Sequence, residues 1–297
     1  MCGRARLSSD VSEIKIAFRI PPERPTPNVP PSWNVAPTDP LPVVRYDTKD
    51  RQRSLEVMRW GLVPFWAKDI KVGFANINAK AEGIENKPAF REAFQRRRCL
   101  VPVDNFYEWK KVDGGKQPYA IGLKGGGLMA LAGLRESWHA PSSGERVRSF
   151  AIVTTEPNEL CARLHNRMPA VLAPEAWPAW LGEEPANHAQ LKSLLVPYPS
   201  DDMVCWPVSA RVGNVKNNDP SLVEPVVCRK RITAAGDRLP PSRRNRERSN
   251  QCKNLKSHKP CSCSTLSLSI LPTTATGRAA AMTTETAGTA LSALFWI

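Results

Sequence analysis

Six short apolar runs, each bounded by glycine, proline or aspartate, constrain this chain more than any other feature: "LPVVRY", "LEVMRW", "CLVPV", "PYAIGL", "LMALAGL" and "FAIVTT". All are apolar and too short for helices, and all but "LMALAGL" carry β-branched or aromatic residues, so they predict strands separated by turns. Helical pieces fit between them. "SSDVSEIKIAF" carries Asp10 as a cap, Glu13 three residues later, and Val11, Ile14, Ala17 and Phe18 on one face. "PAFREAFQRR" and "EPNELCARL" place Pro88 and Pro157 at a first helical turn, and "PEAWPAWL" is a further helical piece. "PPERPTPNVPP" forces an extended connection without a helix. Together these elements predict an α+β fold around a largely antiparallel sheet.

The periodic text ends near residue 228. Of the formal net charge of +14, residues 229–297 supply +9, from 12 Lys and Arg against 3 Asp and Glu. Their "RKRITAAGDRLPPSRRNRERSN" and later Ser/Thr/Ala run have no apolar period to bury and predict a disordered basic tail. The sequence leaves open whether that tail is a functional arm or an extension without a role.

The eight cysteines form no C-x-x-C pair, and no charged segment followed by an apolar core opens the chain. Reduced thiols inside a cell are therefore expected: in the cytoplasm near the nucleoid of a bacterium, or in a eukaryotic nucleus. The most apolar C-terminal run, "ALSALFWI", is far shorter than the ~20 residues a membrane-spanning helix needs. Cys252, His258, Cys261 and Cys263 lack paired zinc spacing, and "KGGGL" lacks the phosphate-loop lysine and Ser/Thr pattern. No metal or cofactor is expected.

Eight phrases stand in one order: "MCGR", "WNVAPT", "RWGLVPFWAKD", "NINAKAE", "KPAFREAFQRRRCLVPVDNFYEWKK", "AGLRE", "LHNRMP" and "PVSARVGNVKNNDPSLVEP". Across residues 2–228 they resemble the SRAP family, proteins that cross-link to abasic sites in single-stranded DNA. The resemblance implies one compact domain over residues 2–228, monomeric, with a positively charged groove for single-stranded DNA and no membrane partner. It puts the nucleophile on Cys2, the sugar-sensing asparagine on Asn78, the proton-transferring glutamate on Glu108 and the histidine on His165. It also gives phosphate contacts to Arg4, Lys80 and Arg167 and base stacking to Trp66 and Pro37. Lys80 stands where the family usually has arginine, retaining the charge without the bidentate fork.

The implied chemistry suits the terminus. Once Met1 is removed, Cys2 carries a free α-amine and a thiol on adjacent carbons. An α-amine of pKa near ~8 is roughly 10% neutral at pH 7, against less than about 0.1% for a lysine near ~10.4. The amine can condense with a sugar aldehyde, and the thiol can close a five-membered thiazolidine on the imine. A thiol peptidase using Cys2, Glu108 and His165, and a non-covalent single-strand binder, are the competing readings. Taken without the resemblance, Glu108 reads as an exposed charge opposite Lys110.

Overall fold

A computed structural model describes residues 2–226. The expected α+β class holds, built on two sheets. The strands are β1 (Ala5–Leu7), β2 (Ser32–Val35), β3 (Pro40–Asp47), β4 (Gln52–Trp60), β5 (Asn78–Lys80), β6 (Arg98–Val103), β7 (Asn105–Val112), β8 (Gly115–Leu123), β9 (Met129–His139), β10 (Arg146–Thr155), β11 (Met168–Pro169) and β12 (Met203–Pro207). One sheet runs β12-β8-β7-β1-β2; the other runs β11-β10-β4-β3-β6-β9, and β9 pairs back onto β10. Strands β10, β4, β3, β6 and β9 thus close a ring, which removes their free edges. Every pairing is antiparallel except those of β10 with β4 and with β5.

Each of the six apolar runs lies in a strand. The ring encloses the main core, where Trp60, Phe94, Phe150, Leu100 and Trp180 are fully buried; each such side chain contributes about 1.5–3 kcal/mol by leaving water. A smaller cluster of Tyr107, Ala120, Val208, Val212 and Leu222 lies behind the second sheet.

The first helix, α1 (Val11–Ala17), has the full capping box: Asp10 accepts from the Ser12 amide and Glu13 from the Asp10 amide at 3.0 Å. Behind it, Lys15 is buried and its ammonium donates to Pro22 O at 2.8 Å, Arg24 O at 2.7 Å and Thr26 Oγ1 at 3.1 Å. A buried charge is tolerated when it is hydrogen-bonded in this way, and here it ties down the proline-rich connection.

Two later helices start beyond Pro88 and Pro157. Helix α2 (Arg91–Arg96) begins three residues after Pro88, because a turn with Phe90 and Arg91 donating to Lys87 O comes first. Helix α3 (Glu159–Ala162) is capped by Asn158, whose side chain accepts from the Cys161 amide, so Pro157 stays outside. "PEAWPAWL" divides into a 3-10 turn, Pro174–Ala176, and α4 (Trp177–Leu181). A last helix, α5 (His188–Ser193), completes the set. No helix among the described residues is long and apolar enough to cross a membrane. The basic tail, residues 229–297, and its Cys/His cluster lie outside the described residues.

Two features of this frame aim the N-terminal segment. Asp104, the single residue between β6 and β7, accepts from the amides of Ser8 at 2.6 Å and Ser9 at 3.1 Å and holds the turn after β1. Strand β1 then lies between β7 and β2, with Ala5 opposite Phe106 and the Tyr107 amide donating to Arg4 O at 2.9 Å. Elsewhere, the loop bearing Phe65 and Trp66 is closed at its base by Gly61 and Gly73. A Cβ on Gly61, which has φ +122°, would stand 2.7 Å from Gly73 O, so neither position admits a side chain without moving backbone.

Candidate active site

Alternation along β7 sends Phe106 and Glu108 to one face and Tyr107 to the other. Phe106 joins the main core, so the same face carries Glu108 inward, and it is 5% exposed. The bare reading of Glu108 as a surface charge is thereby corrected: β1 and β7 bring it beside the chain terminus, where a carboxylate this buried has to be compensated.

Cys2 is fully buried among the core residues. Burial pushes its thiol well above the usual range, and the Glu108 charge pushes it in the same direction. The sulfur is thus held protonated at neutral pH. Asn78, on β5, donates from Nδ2 to the Cys2 carbonyl oxygen at 2.7 Å. Its register on β10, opposite Ile152, fixes that donor. Asn78 Oδ1 is buried and has no hydrogen-bond partner among the described residues, which leaves an acceptor available beside Cys2.

His165 follows α3, with its amide donating to Cys161 O at 2.9 Å. Its ring Nδ1 accepts from the Arg167 amide at 3.0 Å. An accepting nitrogen carries no proton, so the neutral ring holds its proton on Nε2. Glu108 and His165 line the same cleft, of about 660 Å³, together with Lys110, Lys111, Lys116 and Arg163. Four cations against one carboxylate make that cleft a site for a polyanion.

Cys2, Asn78 and Glu108 are brought together, and His165 shares Glu108's cleft. Trp66 is 53% exposed, with Phe65 exposed beside it, and Lys80 is exposed. Pro37 is half-buried. Arg4 and Arg167 are engaged inside the protein. Arg4 Nη1 donates to Asn34 Oδ1 at 2.8 Å and Val212 O at 2.9 Å, and its guanidinium lies 6.0 Å from the Trp109 ring centre. Arg167 makes a bidentate pair with Glu82, at 2.7 and 2.9 Å, and also donates to Thr154 O.

Sequence reasoning missed Lys110, Lys111, Lys116 and Arg163 as cleft residues, although Lys110 follows Glu108 by the two-residue strand period. It also missed Glu82, which had no local signal because its partner is 85 positions away. Cys99, Cys161 and Cys205 are free thiols like Cys2. Among the described residues no group of three His, Cys, Asp or Glu is placed to hold a metal ion.

Comparison with known proteins adds a third line. A family model described as SOS response associated peptidase (SRAP) matches residues 1–215. The abasic site processing protein YoqW of Bacillus subtilis is 42% identical over 225 residues, covering 75% of this chain and 99% of that one. The abasic site processing protein HMCES of Gallus gallus is 31% identical over 227 residues, covering 66% of each. Among solved structures, a protein from Bacteroides thetaiotaomicron matches with a TM-score of 0.69 and 25% identity, over 76% of this chain and all of that one.

Proposed function

This chain belongs to the SRAP family, and from that membership we propose that it captures abasic sites in single-stranded DNA as a covalent adduct on Cys2. The observation that carries the reading is the Asn78 to Cys2 hydrogen bond, made beside buried Glu108, which itself lines a cleft rich in lysine and arginine. The names of the relatives supply the substrate class.

The chemistry begins with loss of Met1, which frees the Cys2 amine. That nitrogen attacks C1′ of the ring-opened deoxyribose, and water leaves to give the imine. The thiol then adds across the C=N bond, sulfur to C1′ and its proton to nitrogen, closing a five-membered ring. One water is released overall. Glu108 moves the protons at C1′, as general acid for departing water and as base for the thiol. His165, presenting Nε2–H, donates a hydrogen bond to the sugar ring oxygen as the ring opens. Asn78 fixes the Cys2 carbonyl so that amine and thiol both face C1′, and such positioning is worth orders of magnitude in rate.

The strand itself is held by cations and flat faces. Lys110, Lys111, Lys116, Arg163 and Lys80 meet phosphates, and Trp66 with Pro37 stacks bases. Arg4 and Arg167 act from behind: Arg4 braces the N-terminal segment, and Arg167 meets a phosphate once it parts from Glu82. A thiol peptidase is the weaker reading, because it needs a thiolate at neutral pH while burial and Glu108 both keep the Cys2 thiol protonated.

The test mixes the Met1-processed protein with a single strand whose uracil has been excised, followed by a denaturing gel and intact mass. The expected adduct has the mass of protein plus strand minus one water and is lost in Cys2→Ala. A Cys2→Ala protein that still shifts the strand, or a wild type that never does, overturns the proposal; retention under native conditions alone leaves a non-covalent binder.

A further inference from the structure

A second cavity, of about 200 Å³, opens on the closed sheet between β3, β4, β9 and β10. None of these strands supplies Cys2, Asn78, Glu108 or His165. Its walls carry Arg45, Glu56, Arg135, Glu136, Arg146 and Arg148. Both carboxylates are already matched. Glu56 pairs with Arg45 Nε at 2.9 Å and Arg148 Nε at 3.8 Å, and Glu136 pairs with Arg97, from outside the wall, at 2.8 Å.

Two guanidinium groups are left over. Among the described residues, Arg146 Nε donates to a neutral oxygen, Ser137 Oγ, at 2.8 Å. Arg135 has a buried Nε with no hydrogen-bond partner among the described residues. A buried donor left unmade is costly, more so on a charged group, and a bound water or ion is one of the ways a native structure compensates it. Its surroundings act against the charge, since burial is the largest influence on Arg135 and lowers its pKa.

We propose that this cavity binds a phosphate group, held by the forks of Arg135 and Arg146. Arg135 on β9 and Arg146 on β10 line one compact volume, which suits a tetrahedral anion with oxygens on several sides better than a planar carboxylate that occupies one fork. The volume is below the roughly 300–1,000 Å³ of pockets for drug-sized ligands. The phosphate is inorganic or the terminal phosphate of a nucleic-acid strand, and the site stands independently of any chemistry at Cys2.

The test uses the full chain, titrated with potassium phosphate against potassium chloride at matched ionic strength, read by ³¹P line broadening and by the thermal midpoint. Saturable binding is expected, about tenfold weaker in Arg146→Gln and in Arg135→Lys, and unchanged in Arg91→Gln, an exposed arginine on α2. Arg146 is exposed, so its variant decides the matter even where Arg135→Lys does not fold. A second arm displaces the bound phosphate with a 5′-phosphorylated or an unphosphorylated oligonucleotide. Displacement by the phosphorylated strand alone identifies a terminal phosphate, and displacement by neither identifies the free anion. Absence of saturation, or equal affinity in wild type and Arg146→Gln, overturns the proposal, the latter because phosphate would then be held elsewhere, as by the lysines of the cleft beside Glu108.

Discussion

Replacing Asn78 separates positioning from proton chemistry, because the side chain has no proton to exchange. Its Nδ2 to Cys2 O distance of 2.7 Å lies at the short end for an N–H···O bond. Removing the donor forfeits a net ~0.5–1.5 kcal/mol, and leaving a fully buried residue's carbonyl unpaired raises the loss to about 1–3 kcal/mol. If that free energy positions Cys2 in the transition state, Asn78→Ala slows cross-linking by roughly 5- to 150-fold at about 1.4 kcal/mol per decade. Asn78→Asp has similar volume but sets a carboxylate oxygen against the Cys2 carbonyl oxygen, so it is expected to be slower than the alanine variant. The assay is the single-turnover cross-linking rate at saturating abasic strand, which removes differences in DNA affinity, with thermal unfolding alongside. An Asn78→Asp protein that reacts at the wild-type rate, or an alanine variant whose whole deficit appears as a lowered midpoint, refutes the reasoning.

Three further outcomes follow from the same geometry. Glu108→Gln, which preserves shape and removes proton transfer, is expected to slow cross-linking about 10²- to 10⁴-fold with strand affinity retained; single-turnover rates beside fluorescence anisotropy check this. Glu82→Gln leaves Arg167 without its bidentate carboxylate, so single-strand affinity at low salt is expected to rise several-fold, with a steeper salt dependence. Stability is expected to fall as pH rises above 9. Burial raises the Cys99 thiol from 9.0 to about 12, so the unfolded chain releases its proton first and unfolding is favoured from pH 9 upward. The loss is about 1.4 kcal/mol at pH 10 for this thiol, and Cys99→Ala should flatten that part of the pH profile of the thermal midpoint.

What was legible in the sequence followed from interactions a few residues long. The six short apolar runs became strands, Asp10 and Glu13 formed their capping box, and the ordered motifs pointed to a site at Cys2, Asn78, Glu108 and His165. The errors were local too: Pro88 and Pro157 bias a boundary without fixing it, and only Asn158's hydrogen bond to Cys161 decided where α3 begins. Strand β7 was not among the six runs expected to be strands, because its pairing partners β8 and β1 are what make it a strand.

The order of residues alone determined an α+β frame, an uneven positive charge and a cysteine next to the start. Tertiary structure alone decided that Glu108 is buried beside that cysteine, that Arg4 reaches across 208 positions to Val212 O, and that Glu82 already occupies Arg167. The physical reason is range: backbone propensity and capping act within one turn or one strand, whereas the burial of a charge and the identity of its partner depend on which distant strands the closed sheet brings together.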